Sequence, residues 1–117
     1  MKFESDKPIY LQIIDIVTEK ILTGEWAIGE KILSVREFAA SVEVNPNTVM
    51  RSYDKLQQDE IIFNKRGLGL FVAENAVEII LKEKKANFLQ VEAPKFFQSA
   101  KLLNISIEEL IELYKSN

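Results

Sequence analysis

Four polar side chains with the types and spacing for specific hydrogen bonding share one side of a predicted helix. They are Asn47, Thr48, Arg51 and Lys55. An Arg side chain can donate a pair of hydrogen bonds to guanine, and an Asn side chain can do the same on adenine. Polar residues opposite an apolar stripe are also the default on any surface helix. The helix alone therefore leaves both interpretations open.

That helix has a well-defined start and a clear apolar side. Asn45 is a good N-cap and Pro46 suits the first helical position, and the helix is predicted to end near Gln58 and Asp59. At about 100° per residue, its inward side chains fall together. They are Val49, Tyr53 and Leu56.

Two helices are predicted before it. The first opens at Pro8 and ends at Thr23 and Gly24. The second runs from about Val35 to Val42, behind a capping box in which Ser34 is the N-cap and Glu37 hydrogen-bonds back to it. The segment from Lys31 to Leu33, just before that box, is a candidate for a very short strand.

A β-hairpin is predicted after the third helix. Its strands are residues 61–63 and 70–72, and its turn is residues 65–69, which include two glycines. A lone two-stranded hairpin is not stable in water, so it must pack on the three helices. This order of elements predicts an α+β, mostly helical fold, in which a winged helix-turn-helix domain over residues 1–74 is followed by a short helical tail.

The tail, residues 75–117, is predicted to be a dimerisation region. Pro94 is expected to break or kink its helical stretch. Ser106 and Glu109 form a second capping box, which starts a last helix with Leu110, Ile111 and Leu113 inside. The apolar side chains of this tail are too many for it to bury alone. Some must pack on the chain's own first helix, and the rest predict a homodimer.

Composition excludes several classes of function. The 117 residues contain no Cys and no His, so disulfides, thiolate chemistry and the commonest neutral-pH acid/base group and metal ligand are absent. No catalytic site, metal or cofactor is predicted, and an enzyme is not expected. Without a membrane span or signal peptide, the protein is expected to be cytoplasmic, with no membrane partner. The net charge of −3 argues mildly against nucleic-acid binding, but basic groups can cluster on one face.

Basic residues on two neighbouring elements favour a nucleic-acid interface. Lys65 and Arg66 precede Gly67 at the hairpin tip, where the backbone can approach a duplex closely. Arg36 is near the start of the second helix, placed to touch a phosphate; alone, it could equally pair with Glu37 or Glu43. These weak signals agree on one docking geometry, which strengthens each of them.

Four sequence motifs resemble one protein family. They are PIYLQI at Pro8, GEKILSVREFA at Gly29, VNPNTV with RSY from Val44, and RGLGLFV at Arg66. Together they closely resemble the DNA-binding domain of GntR-family bacterial transcription regulators, and the short tail resembles the YtrA-like subfamily, whose small C-terminal part serves dimerisation. The resemblance implies DNA contacts by Arg36, Asn47, Thr48 and Arg51, with Ser34 and Asn45 near phosphate and Lys65, Arg66 and Gly67 in the wing. Lys55 is added from its place on the helix, as a phosphate contact.

The sequence departs from the family pattern at three places. Ile32 and Leu33 stand where Leu-Pro is usual, Glu60 replaces a usual Gly after the third helix, and Leu68 replaces a usual wing Arg. The main hypothesis is a homodimeric repressor on a two-fold symmetric double-stranded operator. The alternative is a winged-helix adaptor that binds protein and not DNA. A small-molecule effector is left open: Phe96, Phe97 and Tyr114 could line a small apolar cleft between protomers, but the dimer core is the favoured place for them.

Overall fold

The computed structural model describes residue 3 and residues 6–117 of the chain. Its elements follow the predicted order: α1 Ile9–Leu22, α2 Val35–Val42, α3 Pro46–Gln58, β1 Ile62–Lys65, β2 Gly69–Val72, α4 Ala76–Asn87, a π-helical turn Phe88–Glu92, α5 Ala93–Leu102 and α6 Ile107–Ser116. β1 and β2 form an antiparallel hairpin in which Ile62 is opposite Val72 and Lys65 is opposite Gly69. The fold is a winged helix-turn-helix with a helical tail.

The hydrophobic core joins the three helices to the hairpin and the start of α4. Its buried apolar side chains come from every one of these elements: Ile13, Val17, Ile21, Ile32, Phe38, Ala39, Val42, Val49, Tyr53, Leu56, Ile61, Ile62, Val72, Ala76 and Ile80. The Tyr53 hydroxyl donates to the Leu33 carbonyl at 2.9 Å, which satisfies the buried polar end of that ring. Burial raises the pKa of Tyr53, so this hydroxyl stays protonated as the donor.

Local capping signals set the starts of α2 and α3 as predicted. Ser34 Oγ accepts from the Glu37 N–H at 3.2 Å, and the Ser34 N–H donates to Glu37 Oε1 at 2.9 Å. Asn45 Oδ1 accepts from the Asn47 N–H at 2.8 Å, with Pro46 in the first turn. The turn between the two helices is therefore determined by short-range hydrogen bonds.

A short extended segment ties the hairpin to the helices. Residue Lys31 forms a single antiparallel β-bridge with Phe71. On either side, the Ile32 N–H donates to the Leu70 carbonyl at 2.9 Å, and the Val72 N–H donates to the Glu30 carbonyl at 3.0 Å. The predicted strand at Lys31–Leu33 is thus reduced to one bridge, which still gives β2 a partner on its second edge.

Glu60 is in the left-handed backbone conformation, with φ of 61°. It follows α3 in a Schellman arrangement: the Glu60 N–H donates to the Gln57 carbonyl at 3.0 Å, and the Ile61 N–H donates to the Leu56 carbonyl at 2.9 Å. Glycine is favoured at this position because it has no Cβ to clash. The departure at Glu60 is therefore a strained residue within an otherwise ordinary helix end.

Replacing Glu60 with Gly is expected to stabilise the protein. Glycine adopts the left-handed conformation without a Cβ clash, which removes the penalty, but it loses more backbone entropy on folding than other residues do. The net effect should raise the free energy of unfolding by about 0.5–1 kcal/mol. Urea unfolding at one fixed protein concentration measures this change. Glu74→Gly is the matched control. Glu74 does not have a positive φ, so the same substitution there should not increase the stability. If the Glu60→Gly protein were less stable than the native chain, Glu60 would not be a strained residue.

The tail remains helical through Pro94, so of the expected break or kink the break does not occur, and the helix is instead distorted locally by a π-helical turn. Proline lacks an N–H, and its ring would clash with the carbonyl four residues earlier in a regular α-helix. Here a π-helical turn precedes it, in which the Ala93 N–H bonds to the Phe88 carbonyl, five residues back. Glu92 and Ala93 keep α-helical dihedral angles. The wider π turn admits the proline without ending the helical path.

The chain divides into two compact units, one ending at Leu81 and the other running from Lys82 to Asn117. In the second unit, Ser106 and Glu109 form the predicted capping box at the start of α6. The expectation that Ile111 and Leu113 are inside is wrong for the single chain, because both are exposed. Across residue 3 and residues 6–117, no helix has the length and apolar character needed to cross a bilayer.

Candidate nucleic-acid interface

The two sides of α3 separate as the periodicity predicts. Val49, Tyr53 and Leu56 are buried, and so is Ser52, which the sequence analysis did not place in the core. On the other side, Asn47 and Arg51 are exposed. The exposed side of α3 therefore carries an amide and a guanidinium one turn apart, with the spacing needed to contact neighbouring base edges.

Backbone N–H groups at the start of α3 have hydrogen-bond partners within the protein itself. The Asn45 side-chain oxygen caps the Asn47 N–H, and the Asn45 carbonyl accepts from the N–H groups of Thr48 and Val49 at 3.0 and 3.3 Å. The partial positive charge of the helix N-terminus and the side-chain amide nitrogen of Asn45 remain available to bind a phosphate. Thr48 is half-buried, so its hydroxyl lies at the border of the exposed side.

Arg51 and Lys55 are both held by neighbours in the structure. The guanidinium carbon of Arg51 lies 3.7 Å from the centre of the Tyr10 ring of α1. Lys55 Nζ lies 3.0 Å from Asp59 Oδ1, one turn further along α3. Lys55 is exposed, and its charge is shared with a carboxylate, as is common on a helix surface.

The start of α2 presents Arg36 next to the capping box. Arg36 is exposed, and within residues 6–117 it takes part in no ion pair. Hydrogen bonds from the backbone N–H and the hydroxyl of Ser34 lower the pKa of Glu37, with a further contribution from the charge of Lys31. Glu37 is thus a carboxylate committed to capping the helix, which leaves Arg36 as the cation that could reach a phosphate.

The wing carries its cations in two different ways. Lys65 Nζ lies 4.6 Å from the centre of the Phe71 ring, and that ring stacks on Phe63 with centroids 5.9 Å apart. Arg66 is exposed in the turn, beside Gly67, whose φ of 80° favours glycine. Arg66 is therefore the cation of the tip, whereas Lys65 lies against the aromatic pair of the strands.

Lys31 is a further cation at the wing that the sequence analysis missed. A Cβ atom placed on Gly69 would lie 2.8 Å from Lys31 Cε, so the lysine stem occupies the space over that glycine. The neighbouring Leu68, where the family resemblance led us to expect an Arg, is 61% exposed. The signal in the sequence was the glycine of β2, but its partner could be identified only from the fold.

The predicted site residues lie on three elements of one compact unit. The structure places Ser34 and Arg36 at the start of α2; Asn45, Asn47, Thr48, Arg51 and Lys55 on or before α3; and Lys65, Arg66 and Gly67 in the wing. In the described part of the chain, no group of three or more His, Cys, Asp or Glu side chains could hold a metal ion. The arrangement is suited to hydrogen bonding and charge pairing.

This fold and this exposed helix define a winged helix-turn-helix domain, the kind that places its third helix in a DNA groove. Residues 9–72 match the family described as bacterial regulatory proteins, gntR family, and the chain belongs to that family. It is therefore a DNA-binding regulator and not an enzyme, as expected from the sequence.

Individual relatives match nearly the whole chain. It is 37% identical to the HTH-type transcriptional regulator YhcF of Bacillus subtilis, over 98% of this chain and 93% of that protein. It is 36% identical to the HTH-type transcriptional repressor YtrA of the same organism, over 95% and 85% of the two chains. A crystal structure of a GntR-family regulator from Bacteroides thetaiotaomicron is 45% identical, with a TM-score of 0.79 over 92% of this chain and 94% of that one.

Proposed function

We propose that the protein is a homodimeric repressor, active in the cytoplasm, that reads a two-fold symmetric operator with α3. The observation that carries the proposal is the exposed pair of Asn47 and Arg51 on the side of α3 opposite its buried stripe. A helix of this kind fits the major groove, where each base pair presents a distinct set of donors and acceptors. The repressor named YtrA, similar over most of both chains, supports the direction of control.

Within this proposal, the ten residues divide into base contacts and backbone contacts. Asn47 and Arg51 contact base edges, and Thr48 contacts a base edge or the adjacent phosphate. The remaining residues position the protein on phosphates or, for the wing, in the minor groove: Ser34, Arg36, Asn45, Lys55, Lys65, Arg66 and Gly67. Phosphate contacts fix the register but carry no sequence information, so specificity rests on the short list from α3.

Dimerisation is proposed through the tail, residues 75–117. Large apolar side chains of the second unit are exposed in the single chain, among them Leu102 at 84% and Tyr114 at 85%. Extended exposed apolar surface is rare on monomeric proteins and is typical of an interface. Two copies would place their α3 helices in successive major grooves, so the operator half-sites should lie about one helical turn apart.

Selection of binding sequences from a random duplex library tests this function without knowing the operator. We expect enrichment of a two-fold symmetric sequence, which the protein then binds in preference to a scrambled duplex. Affinity should fall steeply with salt, because each neutralised phosphate contributes about −0.9 to the logarithmic slope. Binding to no duplex even at low salt would instead favour a winged-helix protein adaptor.

A further inference from the structure

The stacking of Arg51 on Tyr10 is a specific contact between the first and third helices. A guanidinium carbon 3.7 Å from the ring centre must lie over the face of the ring, since an approach along the edge would be blocked by the ring's own atoms. The planar guanidinium can stack flat on the ring, which a tetrahedral lysine ammonium cannot do. The contact joins an exposed side chain of α3 to an aromatic residue in the first turn of α1.

The backbone of Tyr10 is also anchored to α3, through the residue that follows Arg51. The Ser52 hydroxyl donates to the Tyr10 carbonyl at 2.7 Å, and Ser52 is fully buried. The same hydroxyl is 3.2 Å from the Thr48 carbonyl, one turn earlier in α3. The backbone of Tyr10 is therefore anchored to the residue that follows Arg51, which keeps the base of its ring next to the guanidinium.

We propose that Tyr10 is a positioning residue that holds Arg51 in the conformation in which it reads a base. This inference rests on the proposed DNA-binding function. A ring on one face of the guanidinium leaves the N–H groups in the guanidinium plane able to donate to guanine. An unsupported arginine loses much rotamer freedom when it binds, whereas an arginine already stacked on Tyr10 loses less.

The contact predicts a specific pattern among three variants. Tyr10→Phe keeps the ring and should bind the selected operator like the native protein. Tyr10→Leu keeps apolar volume but removes the π face, and should weaken operator binding by roughly three- to tenfold per half-site while leaving scrambled-duplex affinity nearly unchanged. In an Arg51→Ala background the Tyr10→Leu change should have no further effect, because the guanidinium it positions is gone.

The test is fluorescence anisotropy on the operator and the scrambled duplex, with NMR of the Arg51 side chain in the protein without DNA. Ring-current shifts of the Arg51 side-chain protons should be present in the native protein and Tyr10→Phe and absent in Tyr10→Leu. Equal operator preference in Tyr10→Leu and the native protein, or tighter binding by Tyr10→Leu, would overturn the positioning role. A native protein that prefers no duplex would refute the proposed function instead, so the two failures are distinct.

Circular dichroism and thermal unfolding separate positioning from a loss of fold. If Tyr10→Leu lowers affinity for the operator and the scrambled duplex equally, the ring supports the domain and not Arg51, which would also overturn the inference. Arg51→Lys is the matched second variant. It keeps the charge but not the planar fork, so it should lose operator preference, and Tyr10→Leu should add little to that loss.

Discussion

The Arg51→Ala variant is expected to lose most of the preference for the selected operator over a scrambled duplex, while Asn47 keeps the remainder. A bidentate contact to a base contributes about 1–3 kcal/mol of discrimination at each half-site, and a homodimer makes the contact twice. Arg51 is exposed and stacks on the Tyr10 ring, so truncation should leave the buried stripe of α3 intact. The preference between duplexes, measured by anisotropy at one salt concentration, reports the loss.

Arg36→Ala is the matched control for this substitution. It removes the same side chain from an exposed position at the start of α2, where a phosphate contact is proposed. Affinity for both duplexes should fall alike, and the salt slope should decrease by about one per protomer, while the preference between duplexes is kept. If Arg51→Ala also weakened both duplexes equally, Arg51 would be a phosphate contact and the assignment of base reading to α3 would need another residue.

The elements that position the site could be predicted because their signals are local. Ser34 and Glu37 are three residues apart, and Asn45 caps the N–H of Asn47, so the starts of α2 and α3 follow from neighbouring residues. The inward side of α3 followed from helical periodicity. The sequence also marked Glu60 as a departure from the family pattern, and its φ of 61° shows that this departure places a non-glycine residue in the left-handed conformation.

The contacts that arrange the site's side chains could not be predicted, because they depend on how elements pack. Tyr10 and Arg51 meet only when α1 packs against α3. Lys31 and Gly69 are brought together only by the bridge between the extended segment and β2. The π-helical turn before Pro94 also could not be predicted, because it forms only if the helical path continues beyond the proline. Pairs so distant in sequence leave no spacing signal in a single chain.

Substituting exposed apolar side chains of the tail is expected to separate the dimer. In the single chain, Phe97 on α5, Leu102 at its end and Ile111 on α6 are all exposed. Replacing each in turn with Glu should leave the fold of the protomer intact, since none of the three is buried within it. In a dimer interface, the same charge would be taken out of water without a partner, which is strongly unfavourable.

The native protein should sediment as a dimer at micromolar concentration, and at least one of Phe97→Glu, Leu102→Glu and Ile111→Glu as a monomer. Operator affinity of that monomer should fall by about 10²-fold or more. In a dimer, binding of one protomer raises the effective concentration of the other at the second half-site, and a monomer loses this gain. Gln98→Glu is the matched control: it adds the same charge to the exposed surface of α5 and should stay dimeric. A monomeric native protein, or three unaffected variants, would show that the apolar surface of the tail has another partner.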